Sequence, residues 1–449
     1  MGRRPSLAVV VQRFGADING GAELHARYIA EHLAPHADVR VLTTCARNYV
    51  TWRNEMPAGV ETVNGIPVER FPVSRERDAA LVEFGRLSTH VFHDVHSLDD
   101  ELTWLDAQGP VSPALTSRIN SSGSEFDFVL IFSLRYATAY FAARAVPHRA
   151  ILVPTMEREA AMGLSLFPPV LRGVRAVMYN SMEEREQLHS ASGNQHVPGV
   201  VVGVGSEIPE RPDPQRARTR FGLHNRFVLY VGRIDVNKGC GELFALFLAY
   251  LNVSYLRLKD RPIDLVLIGT PVMPIPDHPH IRHLGFVSDA EKFDLLAAAE
   301  VLVMPSYYES LSMVALEAWA LGRPVLVNAH CDVLLGQCLR SNAGLYYETA
   351  EDFAGALDAI LEDPALAEAL GGRGRLYFAE HYTWPVIERK YLNMFQQLST
   401  NPPTHDMEPI PGHFERRRRH CPPALDVLRR LPSGPVRLAA TSGTLGHQS

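Results

Sequence analysis

Val301-Leu302-Val303-Met304-Pro305-Ser306-Tyr307-Tyr308-Glu309-Ser310-Leu311-Ser312-Met313-Val314-Ala315-Leu316-Glu317-Ala318-Trp319-Ala320-Leu321-Gly322-Arg323-Pro324-Val325 reads as a strand, a corner, a helix and the start of another strand. The apolar run from Val301 ends at Pro305, which cannot donate to a sheet ladder. A helical pattern begins near Ser310, fills 312–321 and stops at Gly322-Arg323-Pro324. Glu309 therefore stands at a strand-to-helix corner, and Glu317 is expected about two turns inside the helix. Open α/β sheets bind ligands at such corners, beyond the carboxyl ends of their strands. The helix start offers backbone N–H groups to a phosphate, and the two carboxylates can accept hydrogen bonds from sugar hydroxyls. A capped surface helix would show the same spacing, so the rest of the chain decides.

Strand and helix alternate outward from this stretch in both directions. Expected strands lie at 227–231, 264–268, 281–284, 301–304 and 324–327, with helices at 238–251, 290–298 and 312–321. Upstream, buried-strand patterns recur at 7–11, 39–43, 128–132, 150–153, 176–179 and 200–202, with a helix at 22–33. Residues 44–125 hold strand-like pieces at 60–63 and 68–71 and a mixed helical region. This alternation implies α/β architecture with parallel sheets covered on both faces. The proline- and charge-rich stretch 207–225 divides the chain, giving units 1–206 and 226–380 joined by a linker. Two such units create a cleft, a preferred ligand site. Beyond 350 the pattern is helical, broken at Trp384-Pro385, with a last helix expected within 381–398. Residues 399–449 carry many prolines and the run Arg416-Arg417-Arg418-Arg419, and they read as a disordered tail.

Composition narrows the class. The 449 residues suffice for two or three domains, and 46% hydrophobic with 21% charged residues is ordinary for a globular chain. A net charge of -6 gives nothing that recruits nucleic acid. No apolar stretch has the length of a membrane span, and the run 7–11 is too short for a signal-peptide core. The 5 cysteines, at 45, 240, 331, 338 and 421, include no C-x-x-C pair, which suits a reduced cytosolic protein without structural zinc.

Two further corners carry chemistry. Gly232-Arg233-Ile234-Asp235-Val236-Asn237-Lys238-Gly239 closes the first strand of the second unit and puts two cations before a helix, a pairing that suits a diphosphate. Asn19-Gly20-Gly21-Ala22-Glu23-Leu24-His25 stands at the matching corner of the first unit, where paired glycines admit close backbone approach to a ligand. Taken in order, these corners resemble family 4 of the retaining glycosyltransferases, which have the GT-B fold. The likeness extends over residues 5–398, including the strand ends Tyr179-Asn180-Ser181 and Val202-Gly203-Val204-Gly205-Ser206-Glu207 and a final helix from Tyr382 to Phe395 that crosses back to the first domain.

The resemblance implies two Rossmann-like doubly wound domains facing a cleft and a nucleotide-diphosphate sugar as co-substrate, with no cofactor and no metal. Arg233 and Lys238 would hold the diphosphate beside Gly232, Glu317 the ribose and Glu309 the donor sugar. The amides of Ser310, Leu311 and Ser312 would face phosphate or sugar, and Gly20 and Gly21 would let the first domain approach. The missing D-x-D motif agrees with metal independence. Two departures stand out. Ser310-Leu311-Ser312 replaces the Gly-Phe-Gly of many relatives, and Val153-Pro154-Thr155-Met156-Glu157-Arg158-Glu159 lacks their first-domain histidine. Glu157 is the candidate to take over that contact as acceptor base, with helix capping as the competing reading.

The expected reaction moves a sugar onto a glycan or lipid-linked glycan acceptor in surface polysaccharide synthesis, in the cytoplasm or peripherally at the inner face of the plasma membrane. Alternatives are a sugar-nucleotide epimerase or hydrolase of the same fold, or a non-catalytic nucleotide-sugar-binding scaffold. His90, His93 and His96 would share a helical face, where a polar lining of the acceptor side is preferred to a metal site that finds no further ligand, and His278, His280 and His283 read as a solvated loop.

Overall fold

A computed structural model describes residues 4–18, 20–122, 125–254, 259, 261–412 and 424–431. Two sheets organise the chain. The first contains β1 (Ser6–Val10), β2 (Asp38–Thr44), β3 (Gly59–Val63), β4 (Ile66–Phe71), β5 (Phe128–Phe132), β6 (Ala150–Val153), β7 (Ala176–Tyr179) and β8 (Gly199–Val201), in the order β3-β4-β2-β1-β5-β6-β7-β8. The second contains β9 (Arg226–Val231), β10 (Ile263–Ile268), β11 (Ile281–His283), β12 (Val301–Met304), β13 (Val325–Asn328) and β14 (Gly344–Tyr347), in the order β11-β10-β9-β12-β13-β14. Leu7 pairs with Val39 on one side and with Phe128 on the other, so the strand order reverses at β1. It reverses likewise at β9, between β10 and β12. Those two reversals open the crevices where doubly wound sheets bind ligands.

The strands are buried because helices cover them on both faces. All of β5, β6, β7, β10, β12 and β13 is buried. Helix Trp384–Thr400 closes the back of the molecule. Its buried positions Trp384, Ile387, Tyr391, Met394, Phe395 and Leu398 follow the i, i+3, i+4 spacing of one helical stripe. Pro385 sits in its first turn, where no N–H is needed. Phe395 stacks on Phe128 at 5.2 Å, and Leu398 O accepts from Arg175 at 2.8 Å, so this helix packs on the first sheet. Each buried side chain of this size contributes about 1.5–3 kcal/mol.

The structure corrects several expectations. The first sheet is not wholly parallel: β3 and β4 form an antiparallel hairpin. Asn64 and Gly65 turn it with positive φ angles of 48° and 81°, the geometry that Asn-Gly favours in two-residue hairpins. Strand β14 and helix Asp332–Ser341 had no expected counterpart. The stretch read as linker contains helix Pro214–Phe221, capped by Asp213 and tied to Asp294 by Arg216 at 2.8 Å. Asp-Pro there starts a helix rather than marking a loop.

The beginning of the presumed disordered tail is docked. His405 Nε2 lies 2.7 Å from Val174 O, Arg172 grips Glu408 at 2.7 and 2.9 Å, and Met407 packs against Gly173. A short helix follows at Ala424–Arg430, while the four-arginine run and Cys421 lie outside the described residues. Cys45, Cys240, Cys331 and Cys338 are buried free thiols.

The histidine readings also change. Helix Val82–His93 ends at His93, so His96 is not on its face; it pairs with Glu101 at 3.1 Å. His280 and His283 are not merely solvated: they meet Asp264 and Gly269 O, each at 2.8 Å.

Candidate active site

Between the two sheets lies a cavity of about 650 Å³ into which the strand ends of both units converge. Gly20, Gly21, Glu157, Gly232, Arg233, Lys238, Glu309, Ser310, Leu311, Ser312 and Glu317 all line it. The sequence motifs that lie up to 297 residues apart, from Gly20 to Glu317, thus share one surface.

The corner after β9 is shaped by Gly239. Its φ is 72°, and a Cβ there would stand 2.1 Å from Pro305 O, so only glycine lets this loop lie against the loop after β12. That contact sets Lys238 beside Glu309: Nζ to Oε1 is 2.8 Å. Asp235 secures the same loop by accepting from Lys238 N at 2.7 Å and pairing with Arg233. Arg233 also reaches the Tyr49 hydroxyl of the first unit at 3.4 Å. Burial pulls the Lys238 ammonium down, but Glu309 and Glu157 together hold it above the ordinary lysine range. It remains a cation in the loop between β9 and the next helix, and beyond its bond to Glu309 it reaches Tyr308 O at 3.5 Å.

Helix Met313–Ala320 follows β12 and starts at Ser312, whose φ of 69° places a non-glycine residue in the left-handed region. Such a backbone costs roughly 1–3 kcal/mol and persists where surrounding structure enforces it. Gln337 contributes by donating to Leu311 O at 2.9 Å. Glu317 lies about one turn inside the helix, not two, because regular helix begins only at Met313. It is 4% exposed. Its Oε1 accepts from Lys292 at 2.9 Å and from Ser206 at 3.4 Å, while Oε2 is buried without a partner. Burial raises its pKa and Lys292 opposes the shift. The Ser306 and Ser312 hydroxyls are also buried without partners in this wall.

The first unit supplies the opposing wall. Gly20 is crowded by Glu23, where a Cβ would meet Oε2 at 2.2 Å, whereas Gly21 has open space around its Cα. Glu23 binds Gln12 Nε2 at 3.0 Å and Arg13 at 2.9 and 2.6 Å. Arg135 pairs with Glu159 at 2.5 Å. Glu157 stands between them and the second unit. It caps no helix, since the 3-10 turn Ala160–Gly163 begins after Glu159. Its carboxyl is pushed up to about 7, mainly by burial, with Lys238 opposing the rise and Glu309 adding to it. His25 projects from helix Gly21–Leu33, is 3% exposed, and has an unpartnered Nε2; burial pushes its pKa down to about 3. His25 carried no role in the sequence reading, although its place five residues after Gly20 was a usable signal. Lys292, Arg135 and Glu159 had no such signal.

Comparison with known proteins adds to this geometry. Residues 225–363 match the family model described as "Glycosyl transferases group 1". The D-inositol 3-phosphate glycosyltransferase of Kribbella flavida is 29% identical over 253 residues, 51% of this chain and 57% of that protein. The chain spans about half the length of the curated relatives it matches. Among solved structures, a sucrose-phosphate synthase from Thermosynechococcus elongatus superposes with a TM-score of 0.61 at 18% identity, covering 88% of this chain and 100% of the other. Anabaena HepE, crystallised with UDP-glucose, gives 0.61 at 15% identity with the same two coverages. The fold is GT-B. Among the described residues, no helix is long and apolar enough to cross a membrane.

Proposed function

We propose that this chain is a hexosyltransferase that moves a sugar from a nucleotide-diphosphate sugar to an acceptor hydroxyl, retaining the anomeric configuration without a metal. One observation carries the reading: Arg233, Lys238, Glu309, Glu317 and a helix start converge on one interdomain cavity in which Glu317 keeps a buried, unpartnered oxygen. The matched family model and the UDP-glucose complex of a fold neighbour support the donor class.

In this mechanism Arg233 and Lys238 bind the diphosphate, Glu317 Oε2 accepts from a ribose hydroxyl, and Glu309 accepts from the donor sugar. The amides at 310–312 point to the phosphate or sugar, as a helix start favours. The acceptor oxygen forms a bond to the anomeric carbon as the bond from that carbon to the phosphate oxygen breaks. The electron pair leaves with the nucleotide, whose growing charge the two cations stabilise. The acceptor proton passes to Glu157. The acceptor is a glycan or lipid-linked glycan in surface polysaccharide synthesis. The protein then works in the cytoplasm, with the first unit meeting a membrane surface when the acceptor is lipid-borne.

A thermal-shift screen of nucleotide sugars followed by product analysis tests the proposal. A binding donor raises the melting temperature by mass action, and transfer yields a glycosylated acceptor. Binding without any transferred sugar would favour the scaffold reading, and release of free sugar alone would favour a hydrolase.

A further inference from the structure

The two walls of the cleft leave different groups free. The second-unit lining sets the cations Arg233, Lys238 and Lys292 against Glu309 and Glu317. The first-unit lining reverses the balance: Glu23, Glu157 and Glu159 outnumber Arg13 and Arg135. Both of these guanidiniums are ion-paired, although Arg135 keeps a buried Nε without a partner. Arg13 gives Nε and Nη2 to Glu23 and Nη1 to Arg47 O at 2.7 Å, and Arg135 is held by Glu159. Three neutral side chains in the same lining keep a buried atom without a partner: Gln12 Oε1, His25 Nε2 and Asn180 Oδ1. These residues are 1%, 3% and 2% exposed, so the wall itself gives those atoms little access to bulk water. Buried polar atoms left unpaired are costly, and a ligand that pairs them recovers that cost. Two are carbonyl oxygens and can only accept. His25 is held neutral by burial and carries no charge for an anion to meet.

Resting on the glycosyltransferase reading above, we infer that the first-unit wall is a hydroxyl-reading acceptor subsite that takes an uncharged polyol and rejects its phosphorylated counterpart. Polyol hydroxyls donate to Gln12, Asn180, Glu157 and Glu159. A phosphate dianion has no proton to offer these acceptors and would face the one surplus carboxylate, Glu157, a like-charge arrangement that binding surfaces use to exclude wrong partners. Glu159 is the specificity-determining residue because it neutralises Arg135.

The test uses the full chain with whichever nucleotide sugar raises its melting temperature most. Matched acceptors are compared by nucleotide-diphosphate release: glucose with glucose 6-phosphate, fructose with fructose 6-phosphate, and myo-inositol with its 3-phosphate. The expected result is that a neutral member accelerates release and exceeds its phosphorylated partner roughly ten-fold or more in kcat/KM. Glu159→Gln should narrow that ratio by raising activity with the phosphorylated member through its KM, a change that loss of structure would not produce. Glu157→Gln gives a second, independent narrowing. Preference for a phosphorylated member, or a ratio that neither variant moves, overturns the subsite. So does release that no member raises above background in a protein that binds the donor. Failure to bind any nucleotide sugar instead overturns the donor reading.

Discussion

The two walls of the cleft are built alike and charged oppositely. Each gathers loops from the carboxyl ends of parallel strands around a reversal of strand order, at β1 and at β9. In the second unit this geometry presents cations and a helix start; in the first it presents carboxylates and unpaired neutral acceptors. The difference shows that the backbone decides where a ligand sits and the side chains at the strand ends decide which one. It also divides the work. On the proposed reading the second wall holds an anion and stabilises its departure, while the first accepts protons from an uncharged partner. Variants that erase one side of this contrast should fail in distinct ways.

The largest effect is expected at Lys238, the cation on which Glu309 of one wall and Glu157 of the other both act. Lys238→Ala should lower kcat by about 10³-fold, the scale seen when a group aimed at developing charge is removed. Donor affinity should change much less, because the ammonium acts mainly on the leaving group. Steady-state kinetics checks this: a variant that loses only KM would make Lys238 a uniform binding group instead.

Glu157 tests the other wall. As acceptor base it must be ionised, and its carboxyl is pushed up to about 7. The wild-type rate should therefore climb as pH rises through about 7 and level off above it. Glu157→Gln should cost about 10²-fold on the plateau and flatten the profile. An unchanged slope in the variant would assign the proton to another group.

These two residues were legible to different degrees. Arg233, Lys238, Glu309 and Glu317 stood out because each pair lies in one strand–loop–helix corner, where spacing along the chain is close to spacing in space. Glu157 was readable only as a departure from a resemblance. Gln12, Asn180, Arg135 and Glu159 come from the ends of different strands, and no local pattern links them; their free or engaged atoms exist only once the sheet is assembled. Lys292 lies 25 residues before its partner Glu317 and joins it through packing of helix Asp289–Ala298. The docked segment at 401–412 was missed for a related reason. Its anchoring by His405, Met407 and Glu408 depends on surface offered by the first unit, not on any periodicity of its own.

Glu317 probes the second wall with less force. Glu317→Gln keeps the volume and removes the charged acceptor. Binding of the free nucleoside diphosphate should weaken about ten-fold, in line with a hydrogen bond to a charged group. Calorimetry on both proteins measures it, and equal affinities would remove the ribose role.

The smallest effect concerns the contact that keeps the walls facing each other. Away from the cavity, helix Met182–Ser192 of the first unit meets helix Asp332–Ser341 of the second. Arg340 pairs there with both oxygens of Glu183, at 2.5 and 3.0 Å, and Arg158 reaches Asp332 at 3.0 Å. Gly336 lies so close that a Cβ would stand 1.9 Å from Glu183 Oε1. The paired side chains are 35% and 15% exposed, so solvent screens much of their attraction. Removing the pair with Arg340→Ala should cost about 1 kcal/mol of closure at most, or roughly a five-fold change. It should raise KM for donor and acceptor together, since the contact serves both walls and touches neither ligand. A change confined to one substrate would mean that the pair shapes a wall rather than the approach of the two.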